Sequence, residues 1–449
     1  MRRVGWLVMM SAGMILGLAP GPGTAMSLLY RQPEVTLGAH LNCPYISTGG
    51  GTAYLQLSVF TQEQQSRARR PMNVSVVIDR SGSMGSEGKL VNAKASVRAL
   101  VDQLAPDDIL SIVIYDDVVE VVRSAGRVGN KQEVRRLVDE ITPRGWTNLG
   151  GGMVEGFHQV ERNLRSAYAN RVILLSDGLA NRGITDPLEL ERIARRYRSR
   201  SVSLTTVGVG LEYNENLMVA LSENGGGNYY FIEDARNLAS VFRTEFNHLS
   251  GVVAQNASIE LVLGRNVKVR DVIGCESEGE GSRFVIPVGD LSSGEHREFT
   301  VVLEIPAGRG SMKAATAQVR YEVEGRCQNL AAPVSVTVYY TVEAAEIEKH
   351  RDWETQAKAD VAVSTRRVDE AMKALDQGRG EDAAKELSAA RSIILASPAA
   401  AQAGAPSAVL REQEAKLEGY ANTLRLNKDN VAKAKKSIQY DNYVTQKQK

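Results

Sequence analysis

The chain has 449 residues, with 54 Lys and Arg against 53 Asp and Glu and a formal net charge of +1. That length exceeds one ordinary core and predicts two or three domains. A hydrophobic share of 43% with 24% charged residues excludes wholesale disorder. The balanced charge gives no electrostatic basis for nucleic acid or an anionic membrane surface as the main partner.

Residues 1–25 read as an export signal, with Arg2 and Arg3 ahead of an apolar run from Val4 to Leu18. Gly23-Thr24-Ala25 offers small residues for cleavage, so the mature chain is expected to start near Met26 and to act in the periplasm or outside the cell. The competing reading is an uncleaved anchor, but a spanning helix needs roughly 20 apolar residues and this run is shorter. No later segment is apolar enough over that length to cross a bilayer. Residues 26–71 hold two strand-like runs, 34–41 and 52–60, separated by Gly49-Gly50-Gly51.

From 72 to 250 the pattern changes to short apolar runs alternating with amphipathic helices. The runs cover 74–79, 109–115, 118–122, 171–177, 202–210 and 228–232, and helical spacing covers about 90–104, 130–141, 149–168, 186–199, 214–223 and 234–249. Strands apolar on both faces and interleaved with helices predict an α/β, doubly wound, mostly parallel sheet. The two-residue link Asp116-Asp117 between 109–115 and 118–122 requires one antiparallel edge strand. Over 251–342 short strands separated by Gly, Ser and Glu turns predict an antiparallel β-sandwich. The remainder, 343–449, has helical spacing and is expected to form roughly three helices with a frayed polar end over 441–449.

Three cysteines are present, Cys43, Cys275 and Cys327. In an oxidising compartment a Cys275–Cys327 disulfide with Cys43 free is the expected pairing, and three unpaired thiols are the alternative. The five histidines are scattered and read as ordinary surface or core residues.

The chemistry concentrates at strand ends. Asp79 ends the first strand of the α/β region and is followed by Ser81 and Ser83 in the pattern Asp-x-Ser-x-Ser; Asp177 ends the fourth, and Thr147 sits in the Gly-rich loop 145–152. In a doubly wound sheet ligands collect at the carboxyl ends of the strands, so two carboxylates and three hydroxyls should meet at one edge. All are oxygen donors and suit a hard divalent cation, magnesium first, with manganese or calcium as substitutes. Neutral hydroxyls leave much of the cation's charge unbalanced, so an outside carboxylate would be drawn to the free coordination position. The plain alternative is that Asp79 and Ser81 cap a turn before a helix. A P-loop fails, because Ser83 and Leu90 stand where Gly and Ser/Thr are needed around Gly88-Lys89. An EF-hand fails at Met84, where Gly is required. No Gly-x-Ser-x-Gly elbow is present here, and His158, the nearest candidate base, falls in an amphipathic helix.

These residues resemble the von Willebrand factor type A (vWA) domain, with the resemblance strong over 72–250. In that family Asp-x-Ser-x-Ser, a threonine and a later aspartate form a metal-ion-dependent adhesion site, onto which Asp79, Ser81, Ser83, Thr147 and Asp177 map. The resemblance implies a bound divalent cation completed by a partner's acidic side chain. Trp146 departs from the Gly common before that threonine and would make the rim bulkier and more apolar. Residues 205–234 are similar to the exported bacterial subgroup related to inter-alpha-trypsin-inhibitor heavy chains and calcium-activated chloride channel proteins. In that subgroup strands before and after the vWA domain share one sandwich. The expected function is therefore a non-enzymatic module that captures a protein presenting Asp or Glu. The alternatives are an assembly protein that oligomerises through 343–449, and a metal-assisted hydrolase. The last vWA helix, 234–251, runs into the sandwich, so ligand capture could alter the angle between the two.

Overall fold

The computed structural model describes residues 35–63, 69–275, 277–323, 326–329, 333–426 and 431–447. The export signal expected over 1–25 lies outside the described residues. The strands β1 (Val35–Leu41), β2 (Tyr45–Ser47) and β3 (Gly51–Thr61) come first. Strands and helices then alternate: β4 (Met72–Asp79), α1 (Lys89–Gln103), β5 (Ile109–Tyr115), β6 (Val119–Arg127), α2 (Lys131–Asp139), α3 (Leu149–Glu161), β7 (Ala169–Ser176), α4 (Pro187–Arg198), β8 (Ser203–Val209), α5 (Glu215–Asn224), β9 (Gly226–Ile232) and α6 (Leu238–Ser250). A run of strands follows: β10 (Val252–Leu263), β11 (Lys268–Ile273), β12 (Glu278–Glu280), β13 (Arg283–Ser292), β14 (His296–Ile305), β15 (Ser311–Val323), β16 (Arg326–Asn329) and β17 (Val334–Thr341). Helices α7 (Ala344–Lys349), α8 (Trp353–Asp376), α9 (Gly380–Leu395), α10 (Ala405–Leu426) and α11 (Val431–Lys447) complete it.

The six-stranded sheet runs β6-β5-β4-β7-β8-β9. All its pairs are parallel except β5 with β6, as the two-residue link requires. β4, β5, β7 and β8 are buried along their whole length, because α1, α2 and α6 pack on one face and α3, α4 and α5 on the other. The chain winds outward from β4 through β5, returns to β7 and winds the other way. The switch point therefore lies between β4 and β7, where the crevice of such a sheet opens.

A second body consists of two facing sheets, ordered β1-β3-β14-β11 and β12-β13-β10-β15-β17-β2, with β16 on β15. Leu55, Leu57 and Val59 of β3 meet Ile259, Leu261, Val301 and Val319 in one core. One pair departs from the antiparallel expectation: β2 runs parallel to β17. The turn at Asn42–Pro44 sends the chain across to the other sheet, where Tyr339 N donates to Pro44 O at 2.8 Å.

Two expectations for the rest of the chain are corrected. Among the described residues the C-terminal region has five helices rather than roughly three, and most of 441–449 is helical, with Asn442 and Tyr443 buried within α11. Tyr440, Tyr443 and Val444 form a stripe against the α3–α5 side of the six-stranded sheet, and the flanking lysines find acids: Lys436 bonds Glu215, and Lys447 Nζ lies 3.0 Å from Glu223. The polar look of this segment reflects paired charges. Cys43 and Cys275 are both free thiols, so the Cys275–Cys327 disulfide is not formed. Cys275 lies instead in a cavity wall with Arg198, Glu223 and Lys447.

Candidate metal centre

The site begins where β4 stops. Asp79 pairs in register with Tyr115 at the end of β5, and one residue past β7 comes Asp177. The switch point thus puts both carboxylates at the same carboxyl edge, and both are fully buried. Asp79 Oδ1 accepts from Ser81 N and Oδ2 from Ser176 Oγ, each at 2.9 Å. Ser81 Oγ lies 3.1 Å from Ser83 Oγ, which donates to Asp177 Oδ1 at 2.8 Å. The loop after Asp79 is therefore folded over both acids, with Ser83 and Met84 in a single 3-10 turn.

Thr147 arrives from the other side. The run Leu149-Gly150-Gly151-Gly152 starts α3 directly on the sheet: a Cβ at Gly152 would stand 2.5 Å from the Tyr115 ring. Only glycine permits that approach, and it fixes the loop in front of α3 at the strand ends. Thr147 is then clamped by Asn181, with Thr147 N donating to Asn181 Oδ1 at 2.9 Å and Asn181 N to Thr147 O at 3.1 Å. Gly178 leaves room between the loops, since a Cβ there would lie 3.3 Å from Thr147 Oγ1 and 3.9 Å from Ser83 Oγ. All five residues named from the motif thus share one small space.

The electrostatics leave this space negative. Burial pushes the Asp79 carboxyl up to about 6, Asp177 adds to the rise, and hydrogen bonds from Ser81 and Ser176 oppose it. Lys89, itself buried, donates to Asp177 Oδ2 at 2.9 Å. One lysine thus faces two carboxylates. Arg80 does not help: it turns away to Asp116 at 2.8 Å and Glu120 at 2.9 Å. Asp116 also holds Arg144 at 2.6 Å and, through its carbonyl, Asn148 N at 2.9 Å, so it ties the β5–β6 turn to the Thr147 loop. Among the described residues no group of three His, Cys, Asp or Glu side chains could hold a metal. The donors here are two carboxylates with hydroxyls, a set that fits a hard, oxygen-seeking divalent cation.

Sequence reasoning missed Lys89, Ser176 and Asn181. Lys89 entered only as a failed P-loop lysine, although its place at the start of the helix after the Asp-x-Ser-x-Ser turn was a usable signal. Trp146, next to Thr147, is 58% exposed, and Arg182 lies over its ring at 5.6 Å.

Residues 73–244 match the family model of the von Willebrand factor type A domain. This is a vWA domain protein. The chain is 27% identical over 278 residues to the uncharacterized protein YfbK of Escherichia coli (strain K12), a match over 61% of this chain and 48% of that one. It thus spans about half the length of that relative. It is 25% identical to inter-alpha-trypsin inhibitor heavy chain H3 of Mesocricetus auratus over 37% of this chain and 20% of that protein. Among solved structures, a von Willebrand factor type A protein from Catenulispora acidiphila superposes with a TM-score of 0.71 over 92% of this chain and 97% of its own, at 16% identity. That likeness concerns the fold, and it extends past the vWA domain into the sandwich and the helices.

Proposed function

We propose that this vWA protein is an exported, non-enzymatic binding module. Asp79, Ser81, Ser83, Thr147 and Asp177 would hold magnesium, or manganese or calcium in its place, and an Asp or Glu side chain of a protein partner would complete the shell. The bound cation supplies Lewis acidity toward that carboxylate. This chain's own residues do the positioning: Asn181 fixes the Thr147 loop, Ser176 orients Asp79, and Lys89 neutralises one of the two acids.

The observation that carries the reading is the convergence of two buried carboxylates with three hydroxyls around a single lysine. Export rests on the leader read in residues 1–25, and no helix of the described residues is long and apolar enough to cross a membrane. Binding is favoured over hydrolysis because the groups ringing the acids are hydroxyls, amides and a lysine already committed to Asp177. Assembly through the helices is the weaker reading, since α11 spends its apolar stripe within its own chain. Calorimetric titration with magnesium should give one saturable site in the wild type and at least tenfold weaker binding in Ser81→Ala and Thr147→Ala. Equal affinity in all three would refute the assignment.

A further inference from the structure

Far from the metal loops, the last turn of α4, the start of β9, β13 and α11 enclose a cavity of about 60 Å³. It shares Glu223, Cys275, Ser277 and Tyr443 with a cleft of about 710 Å³ between α5, β11, α8 and α11. The smaller space exceeds what one water needs and suits a tetrahedral oxyanion, and the larger lies in the range of small-molecule sites.

Four cations and two carboxylates line the inner cavity. Three of the cations are engaged: Lys447 with Glu223 at 3.0 Å, Arg195 with Glu278 at 4.0 Å, and Arg297 with Glu295 at 2.6 Å. Arg198 is the fourth, and its guanidinium has no hydrogen bond or ion pair among the described residues. The nearby Asp290 carboxylate is taken by Arg171 at 2.9 Å and Ser203 at 2.8 Å. Burial holds the Arg198 pKa below the usual guanidinium value and Asp290 opposes it; the side chain is half-buried, so its unpaired guanidinium stays accessible from the cavity. A Cβ at Gly226, whose φ is +68°, would stand 3.0 Å from Arg198 Nε and 3.1 Å from its Cδ, so the stem of Arg198 packs on glycine backbone, which with Gly227 and Gly289 keeps this part of the lining free of side chains.

We propose that this cavity is an oxyanion site: Arg198 takes a phosphate- or carboxylate-type group, either as a free ion or as the head of a ligand whose body lies in the adjoining cleft. A planar guanidinium with free donors is matched to such a group. Occupancy would bridge the vWA domain, the sandwich and α11, which all contribute to the wall.

The full-length chain in EDTA, which keeps cations off the metal loops, is titrated with inorganic phosphate and with phenyl phosphate, and its thermal unfolding is followed in parallel. Saturable one-to-one uptake is expected, with at least a tenfold loss of affinity in Arg198→Gln. Without anion the variant should melt no lower than the wild type, because the guanidinium makes no ion pair or hydrogen bond to lose; with phosphate only the wild type should gain. Tighter uptake of phenyl phosphate supports a ligand with a body in the cleft, and equal uptake supports the free ion. Absence of saturable uptake of either compound overturns the site. So does a variant that titrates like the wild type, or one whose melting falls equally with and without phosphate, which would make Arg198 structural.

Discussion

At its start β7 carries Arg171, fully buried, with Glu245 at 3.1 Å and Asp290 at 2.9 Å. Just past its other end stands Asp177, equally buried, beside Asp79 and Lys89. Burial acts on the acids at both ends, with opposite results. Although burial opposes it, Arg171 together with His248, Thr205 and Asn228 holds Glu245 down to about 2, while Asp79 is pushed up to about 6. The first cluster is closed, since every carboxylate in it has an internal cation or donor, and it ties α6 to β7 and to the sandwich. The second has one lysine, Lys89 on Asp177, for its two carboxylates. The two ends of one strand thus differ in whether the protein supplies every counter-ion itself.

The closed end is the more sensitive to substitution. Arg171→Met should strand Glu245 and Asp290 and cost about 3–5 kcal/mol in urea unfolding; a loss under about 1 kcal/mol would mean that the cluster is not the clasp described here. Pinning of α6 by Glu245 also argues against a movable last helix, so scattering profiles with and without an acidic peptide should superimpose. At the open end Lys89→Met should lower the melting point of the metal-free chain and enlarge the shift given by saturating magnesium, because the deficit of positive charge grows. A smaller shift than in the wild type would show that Lys89 helps to hold the cation rather than substituting for it.

Acidity sharpens the contrast further. The stability contributed by Glu245 is complete above its unfolded pKa of about 4.3 and is lost as pH falls toward about 2. Asp369 acts in the reverse sense, because burial between α8 and α11 raises it to about 6 against hydrogen bonds from Gln446 and Asn442. Its contribution is complete below about pH 3.9 and is lost as pH rises through about 6. Urea midpoints should therefore decline between pH 4 and 6 in the wild type relative to Asp369→Asn. The smallest effect belongs to the rim: Trp146→Ser should change stability by no more than about 0.5 kcal/mol and leave magnesium titration unaltered.

Much of this was legible because it depends on local pattern. Doubly apolar runs gave the parallel sheet, Asp116-Asp117 gave its antiparallel edge, and Asp-x-Ser-x-Ser with Thr147 and Asp177 gave a set that does converge; their role as ligands is the proposal above. Arg171 was not legible, since an arginine at the start of an apolar run looks like a boundary residue until Asp290, 119 residues later, is seen to reach it. α11 was misread for the same reason: Lys435 and Lys436 look solvated until Glu215 appears opposite them. Pairing across long separations is invisible to periodicity. The parallel β2–β17 pair is another instance, since three residues carry no directional signal.

The strand β3 lies beside β14, and Gln56 bonds Glu298 across 242 positions of sequence. On a ribosome, or during passage through a translocation pore, β1–β3 emerge early and must wait while the whole α/β sheet is made. That sheet can close on its own contacts, because its strands are consecutive. The waiting segment meanwhile exposes an unpaired edge with Leu55, Leu57 and Val59 on it, the kind of surface that invites misassociation.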